Sequence, residues 1–293
     1  MKRLFSLSLP TCLPHLNEIQ VELCKVLEGI VSDAGEVAGP LQFAELRILT
    51  LNWLPSLIDF YSEDETSSKV QQKKTQVGVL FSHKLLPFNV LENLEELKVS
   101  YCGSLEVIFD LEGTRKEETH DVVKSSHLRK LTLRELPSLK HVWNKDPKNI
   151  LGFQFLSTVE AWDCDSLKYL FPASVAKALP QLHFLSITSC RELETIVGRE
   201  EEGADVPINF VFARVTELHR QQLPKLMSFY PGTYSTEWPL LQNLYRKFVG
   251  RSWNISGSGL LGFEEFHCQN GLEVSIQLSL ANQKVPNLFI SSF

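Results

Sequence analysis

The side chains able to do chemistry in this 293-residue chain are six cysteines, eight histidines and one glycine-rich stretch. Thiolates bind metals or attack electrophiles, and imidazoles ligate metals or move protons near neutral pH. Both roles depend on spacing. No two cysteines form a C-x-x-C pair, which excludes the commoner zinc-ribbon and thioredoxin-like arrangements. His15, His83, His120, His127, His141, His183, His219 and His267 make neither H-E-x-x-H nor a triad order, and read as surface or loop residues. Gly257-Ser-Gly259-Leu-Leu-Gly262 matches G-x-G-x-x-G literally. It follows Trp253-Asn-Ile-Ser with no βαβ context, so it reads as a flexible Gly/Ser segment. There is no G-x-x-x-x-G-K-S/T loop, and Asn254-Ile-Ser256 is a glycosylation acceptor of consequence only in a secreted chain. No catalytic residue, metal ligand or cofactor is assigned, and an enzyme is not expected.

A hydrophobic fraction of 43% and a charged fraction of 22% are those of a globular protein. A net charge of −6 argues against a dedicated nucleic-acid binder, because phosphate recognition is dominated by Lys and Arg. No run of 18 apolar residues exists, so no membrane span is expected. The start, Met1-Lys-Arg-Leu-Phe-Ser-Leu-Ser-Leu-Pro, imitates a signal peptide, but Ser and Pro interrupt it and no small-residue cleavage site follows. One count stands out: 46 Leu against 12 Ile and 10 Ala.

Those leucines are periodic. From Leu46, apolar residues fall at offsets 0, 3, 5, 8, 11 and 14: Leu46, Leu49, Leu51, Leu54, Leu57, Phe60. The same offsets recur from Leu16, Leu94, Leu128, Leu156 and Leu182. A seventh copy from Val215 carries Arg220 at offset 5, and a weak eighth begins at Leu241. The pattern L-x-x-L-x-L followed by C-x-x-L or L-P-x-L is that of a leucine-rich repeat. Its alternating part is a short strand, and one unit cannot bury its own leucines, so stacked neighbours must share a core. The expectation is an α/β leucine-rich-repeat solenoid, or horseshoe. Short parallel strands would line its concave face, with irregular loops and short helices, such as 172–179, on the convex face. Residues 1–245 would hold about seven to eight repeats, with a degenerate tail at 246–293. The polar inserts 62–76, 112–126 and 199–205 read as exposed loops.

The offsets sort individual residues. Cys24, Cys102, Cys164 and Cys190 all occupy offset 8, where other copies have Leu, and are expected as buried hydrophobes. Cys12 and Cys268 lie outside the array. Residues at offsets 1, 2, 4, 6 and 7 alternate away from the core, among them Thr132. Equal offsets on adjacent strands should lie side by side, bringing Glu95 to Arg129 and Glu96 to Lys130 as exposed ion pairs. Large aromatics on this face, Trp53 and Tyr101 at offset 7, Trp162 at offset 6 and Phe184 at offset 2, are the kind of anchor that protein interfaces use. They join Arg129, Lys130 and Arg134 as candidate partner contacts. The competing reading is that loop inserts cover them, the 62–76 insert lying over Trp53 and Tyr101.

Leu136-Pro-Ser-Leu-Lys-His-Val-Trp143, Cys164-Asp-Ser-Leu-Lys-Tyr-Leu-Phe-Pro172 and Leu223-Pro-Lys-Leu226, with Phe229-Tyr-Pro-Gly232 and Glu237-Trp-Pro239, resemble the leucine-rich-repeat region of plant disease-resistance proteins. The coiled-coil, nucleotide-binding type is the subgroup most similar in appearance. The resemblance implies a cytoplasmic, non-enzymatic recognition and regulatory module of an innate-immune receptor, here expected to be a fragment or truncated paralogue lacking the nucleotide-binding domain. It implies a protein partner: a pathogen effector, a guarded host protein, or the nucleotide-binding domain of a longer form. The alternative is a substrate-recruiting subunit of an F-box type ubiquitin ligase, which expects a shorter, more regular period than the 48-residue step from Leu46 to Leu94. A secreted repeat receptor would show Asn and Gly-x-Ile-Pro positions that are missing.

Overall fold

In each copy the alternating residues form a five-residue strand at offsets 2 to 6. These strands are Glu18–Glu22, Ile48–Asn52, Glu96–Ser100, Lys130–Arg134, Thr158–Trp162, Phe184–Thr188, Glu217–Gln221 and Asn243–Lys247. They pair in parallel in chain order, forming the main sheet of a leucine-rich-repeat solenoid. Equal offsets face each other, as in Leu97 opposite Leu131, Leu131 opposite Val159 and Val159 opposite Leu185. Two further strands, Glu273–Leu278 and Leu288–Ser291, extend this sheet antiparallel. The computed structural model describes residues 2–6, 15–33, 43, 45–63, 77–82, 88–111, 124–144, 147, 151–199, 207–247, 273–278 and 288–291. Cys12, Cys268, His83, His120, His267, segments 254–256 and 257–262 and most of the three polar inserts lie outside the described residues.

The alternation buries its apolar side. Leu49, Leu51, Leu97, Val99, Leu131, Leu133, Val159, Ala161, Leu185 and Ile187 are all sealed from solvent. Each large aliphatic side chain so buried contributes about 1.5–3 kcal/mol relative to exposure. No single repeat could supply this, because the covering atoms belong to the repeats on either side.

What stops each strand is a backbone device. Among the described residues, seven non-glycine residues have φ between 48° and 59°, and all seven stand at offset 7: Leu23, Trp53, Tyr101, Glu135, Asp163, Ser189 and Gln222. This left-handed conformation costs an L-residue about 1–2 kcal/mol. It is held by a bond to the next repeat, the offset-7 N–H donating to the offset-6 carbonyl, as from Trp53 to Ser100 at 3.1 Å and from Tyr101 to Arg134 at 3.0 Å. A β-turn follows, with the offset-11 N–H donating to the offset-8 carbonyl, as in Leu57 to Leu54 at 3.1 Å and Leu105 to Cys102 at 3.3 Å. Pro55, Pro137 and Pro224 occupy the turn's second position, where a fixed φ is favourable. That turn is the physical content of both L-P-x-L and C-x-x-L.

The opposite side carries more strand than expected. Arg3–Ser6, Gly29–Asp33 and Asp59–Glu63 form one parallel sheet, and Gly78–Ser82, Leu105–Asp110 and His141–Trp143 another. Helix is confined, among the described residues, to Phe88–Asn93 and Ala173–Lys177, the latter capped by Pro172 inside the segment expected to be helical. Beneath these strands runs a line of rings, Phe5, Phe43, Phe60, Phe81, Phe109, Trp143 and Phe171, with successive centroids 5.5–6.1 Å apart. At the amino-terminal end, the Arg3 guanidinium grips the Asp59 carboxylate, with Nη2 3.2 Å from Oδ2. Both reach across Gly29, where any Cβ would run into them.

Three expectations need correction. Cys24 is exposed, its strand being the edge of the main sheet among the described residues, whereas Cys102, Cys164 and Cys190 are buried. Thr132 is buried despite its outward offset. Its in-register neighbours, Lys98 and Glu160, are longer and leave a short side chain below their level. His141 and His219 are half-buried rather than loop residues. Burial, then the neighbouring Lys140 charge, lowers the His141 pKa. Arg220 does occupy an inward position and is buried, yet its strand keeps full parallel pairing with both neighbours. No helix among the described residues is long and apolar enough to cross a membrane.

Candidate functional site

The aromatic candidates gather into couplets along the solvent side of the main sheet. At the carboxyl ends of the strands, offset 7 of three successive repeats brings Trp53, Tyr101 and Glu135 together. The Trp53 and Tyr101 rings stack with centroids 4.2 Å apart and planes 7° from parallel. Trp53 remains 48% exposed. The Tyr101 hydroxyl donates to the Glu135 carboxylate, and that bond is the main reason its pKa is raised. Because their shared left-handed backbone is stitched to the following strand, the two rings stand on a rigid base.

One strand further, Arg134 and Trp162 are partners in the ladder, and the guanidinium carbon lies 3.9 Å from the Trp162 ring centroid. Such a cation–π contact contributes about 0.5–1 kcal/mol when exposed and more when desolvated. The Trp162 Nε1–H donates to Ser186 Oγ at 3.2 Å, fixing the ring's direction. Next comes an edge-to-face series: Phe184 against His219 at 5.0 Å, and His219 against Tyr245 at 4.3 Å.

Arg129 and Lys130 do not join these couplets. Lys130 lies opposite Glu96 in the ladder, as the offsets require. Arg129 sits at the amino-terminal end of its strand, with its Nε 3.8 Å from Glu95 Oε2, while Arg47 takes Glu95 Oε1 at 2.9 Å. The expected Glu95–Arg129 pairing is therefore present, as part of a three-strand charge row. Both pairs are exposed, and such pairs contribute about 0–1 kcal/mol each.

Sequence reasoning placed Glu135 on this face by its offset but did not join it to Tyr101, and it missed His219 and Tyr245 as members of the surface. The signal was available, since both stand at offset 4, one of the outward offsets. The thiols offer no competing chemistry. Cys102 is pushed up to about 11, chiefly by burial. Cys164 is also raised, first by its hydrogen bond with Cys190 and then by burial. Sulfurs at offset 8 instead cap strand ends, Cys102 Sγ lying 3.3 Å from the Ser100 carbonyl and Cys190 Sγ 3.5 Å from that of Thr188. Among the described residues no three of His, Cys, Asp or Glu converge as a metal site.

No curated protein and no solved structure matches the chain. Residues 69–191 match the family model described as plant disease resistance protein RPS2-like, leucine-rich repeats. That span holds four strands of the main sheet, the Arg134–Trp162 contact and the three thiols buried among the described residues. Over residues 69–191, this chain is similar to the leucine-rich repeats of RPS2-like plant disease-resistance proteins.

Proposed function

We propose that the protein is a non-enzymatic recognition module of plant innate immunity, acting in the cytoplasm and binding a protein partner across the solvent side of its main sheet. The observation that carries this reading is the Trp53–Tyr101 stack, an exposed indole on a half-buried tyrosine ring, both on backbone bonded to the following strand. Rigid aromatics presented this way lose little entropy on binding and dominate interface energetics. Arg134 over Trp162 and the Phe184–His219–Tyr245 series extend the same surface across five further strands. Free thiols at Cys24, Cys102, Cys164 and Cys190 fit a reducing compartment. The partner is a protein such as a pathogen effector, a guarded host protein, or a nucleotide-binding domain of the same receptor.

The test uses the full chain as bait in plant leaf extract beside a Trp53→Ala/Tyr101→Ala/Trp162→Ala variant of unchanged thermal melt. Proteins held by the former and released by the latter are the expected result. Identical protein sets from both baits sink the proposal.

A further inference from the structure

The amino-terminal ends of the same strands hold a second feature, a groove of about 610 Å³. Its walls come from five successive repeats. We propose that this groove is a docking site for a short acidic segment of a protein partner, one with apolar residues between its carboxylates. The proposal rests on the recognition reading above and adds a location and a chemistry to it.

The backbone of this end is already satisfied. The Ser157 carbonyl accepts from both His183 and Phe184, and the His183 carbonyl from both Thr216 and Glu217. Recognition there must come from side chains. Those lining the groove include Arg129, His183 and Arg214 but no carboxylate, in a chain whose net charge is −6. Arg214 Nη1 donates to the neutral Gln181 Oε1 at 2.7 Å, and it meets no carboxylate among the described residues. Arg129 shares Glu95 with Arg47, so its remaining donors are available. An anion entering the groove can engage two guanidiniums, Arg214 beside its bond to Gln181 and Arg129 beside its contact with Glu95.

Between the arginines the lining is Phe155 with the polar Ser157, Gln181 and His183, and a second apolar residue, Leu240, lies beyond Arg214. Phe155 is stacked on His127 at 5.3 Å with planes 8° apart, and the Arg129 guanidinium lies 5.9 Å from its ring centroid. Leu240 is 47% exposed at the far end. Arg129 and Arg214 stand just before strands that are three ladder steps apart, about 14 Å at about 4.8 Å per step. An extended peptide covers that distance in about four residues at about 3.3 Å each. The fitting ligand therefore has carboxylates about four residues apart with Leu or Phe between them. Two isolated arginines with a single ring, Phe155, between them suit this better than nucleic acid, whose phosphates call for a continuous basic stripe.

The experiment is a fluorescence anisotropy titration of the full chain with fluorescein-labelled E-L-S-F-E-L, with Q-L-S-F-Q-L as control. Expected are binding of the acidic peptide, a loss of about tenfold or more for the Gln control, and a similar loss for Arg129→Glu/Arg214→Glu. Arg214→Gln, which strands no charge, should shift binding in the same direction with an unchanged melt. Raising salt from about 50 to about 300 mM should weaken the complex. No binding, equal binding of the two peptides, equal binding by the double variant, or displacement by oligo-uridine at lower concentration than by unlabelled peptide each overturns the proposal. If the peptide fails while the Trp53, Tyr101 and Trp162 variant still loses its partner, the groove assignment falls and recognition by the main sheet stands. If the peptide binds as expected and that variant loses nothing, the reverse holds.

Discussion

The Trp53 ring lies flat on the Tyr101 ring, 4.2 Å between centroids, although 48 residues separate them in the chain. Both occupy the same offset of successive repeats, so the contact is a product of the parallel register rather than of local sequence. Stacked aromatic pairs contribute about 0.5–1.5 kcal/mol beyond the area they bury. A double-mutant cycle of Trp53→Ala and Tyr101→Ala, read by urea denaturation, should return a coupling in that range. Strict additivity would mean the rings do not stack in solution.

Leu23 has φ of 59° and is 72% exposed, so it bears the left-handed cost without packing to offset it. Glycine adopts that conformation freely, at an entropic cost of about 0.5–1 kcal/mol. Since the strain is about 1–2 kcal/mol, Leu23→Gly should be neutral or stabilising by up to about 1 kcal/mol. Leu23→Val, β-branched at positive φ, should destabilise. Equilibrium denaturation of the two variants checks the order, and Val more stable than Gly would exclude the left-handed assignment.

Removing Arg3 should make stability depend more steeply on pH. Burial is the largest influence on Asp59 and raises its folded pKa above 3.8, while Arg3 acts in the opposite direction. A raised folded pKa means that the stability tied to this group is full below the unfolded value and declines as pH rises through the folded one. Without Arg3 the folded pKa rises further, so Arg3→Leu should fall progressively behind the native chain from pH 4 toward pH 8. At neutral pH the loss should be about 3 kcal/mol, as for breaking a largely buried ion pair. A gap that is constant with pH would show that the contact acts through packing alone.

The cysteines should separate by reactivity. Cys24 is exposed, whereas Cys102, Cys164 and Cys190 are sealed in the core, with the Cys102 and Cys164 pKa values raised. Brief iodoacetamide treatment of the native chain at pH 8, mapped by peptide mass spectrometry, should modify Cys24 and spare the other three until denaturant is added. Labelling of Cys102 at the Cys24 rate would refute the burial.

The strands were legible in the chain because a period of two with a fixed register leaves few ways to bury leucine. Leu97, Leu131, Val159 and Leu185 could be set side by side from their offsets, and the ladder does so. The second side was harder, because its aromatics follow the array only in part. Phe43, Phe153, Phe212 and Trp238 each stand three residues before an anchor, and each of their carbonyls accepts from the anchor's N–H in a turn. That position recurs and could have been recognised from the anchors alone. Phe81 lies in the 48-residue step and had no counterpart to reveal it. Likewise Arg129 could be placed on the surface, but not at the end of the sheet facing Phe155 and Arg214. Where it sits depends on how the strand enters its turn, which an apolar count does not contain.

The row at offset 7 holds Leu, Trp, Tyr, Glu, Asp, Ser and Gln in seven repeats, while the backbone there hardly varies. The stitching is done by main-chain atoms, so side chains of very different chemistry are accommodated there. Mutation can rewrite this strip residue by residue, at little structural risk, while the scaffold beneath stays the same. For the recognition surface proposed above, the left-handed row is a palette: seven positions at which new specificity can be tried while the main-chain stitching is kept.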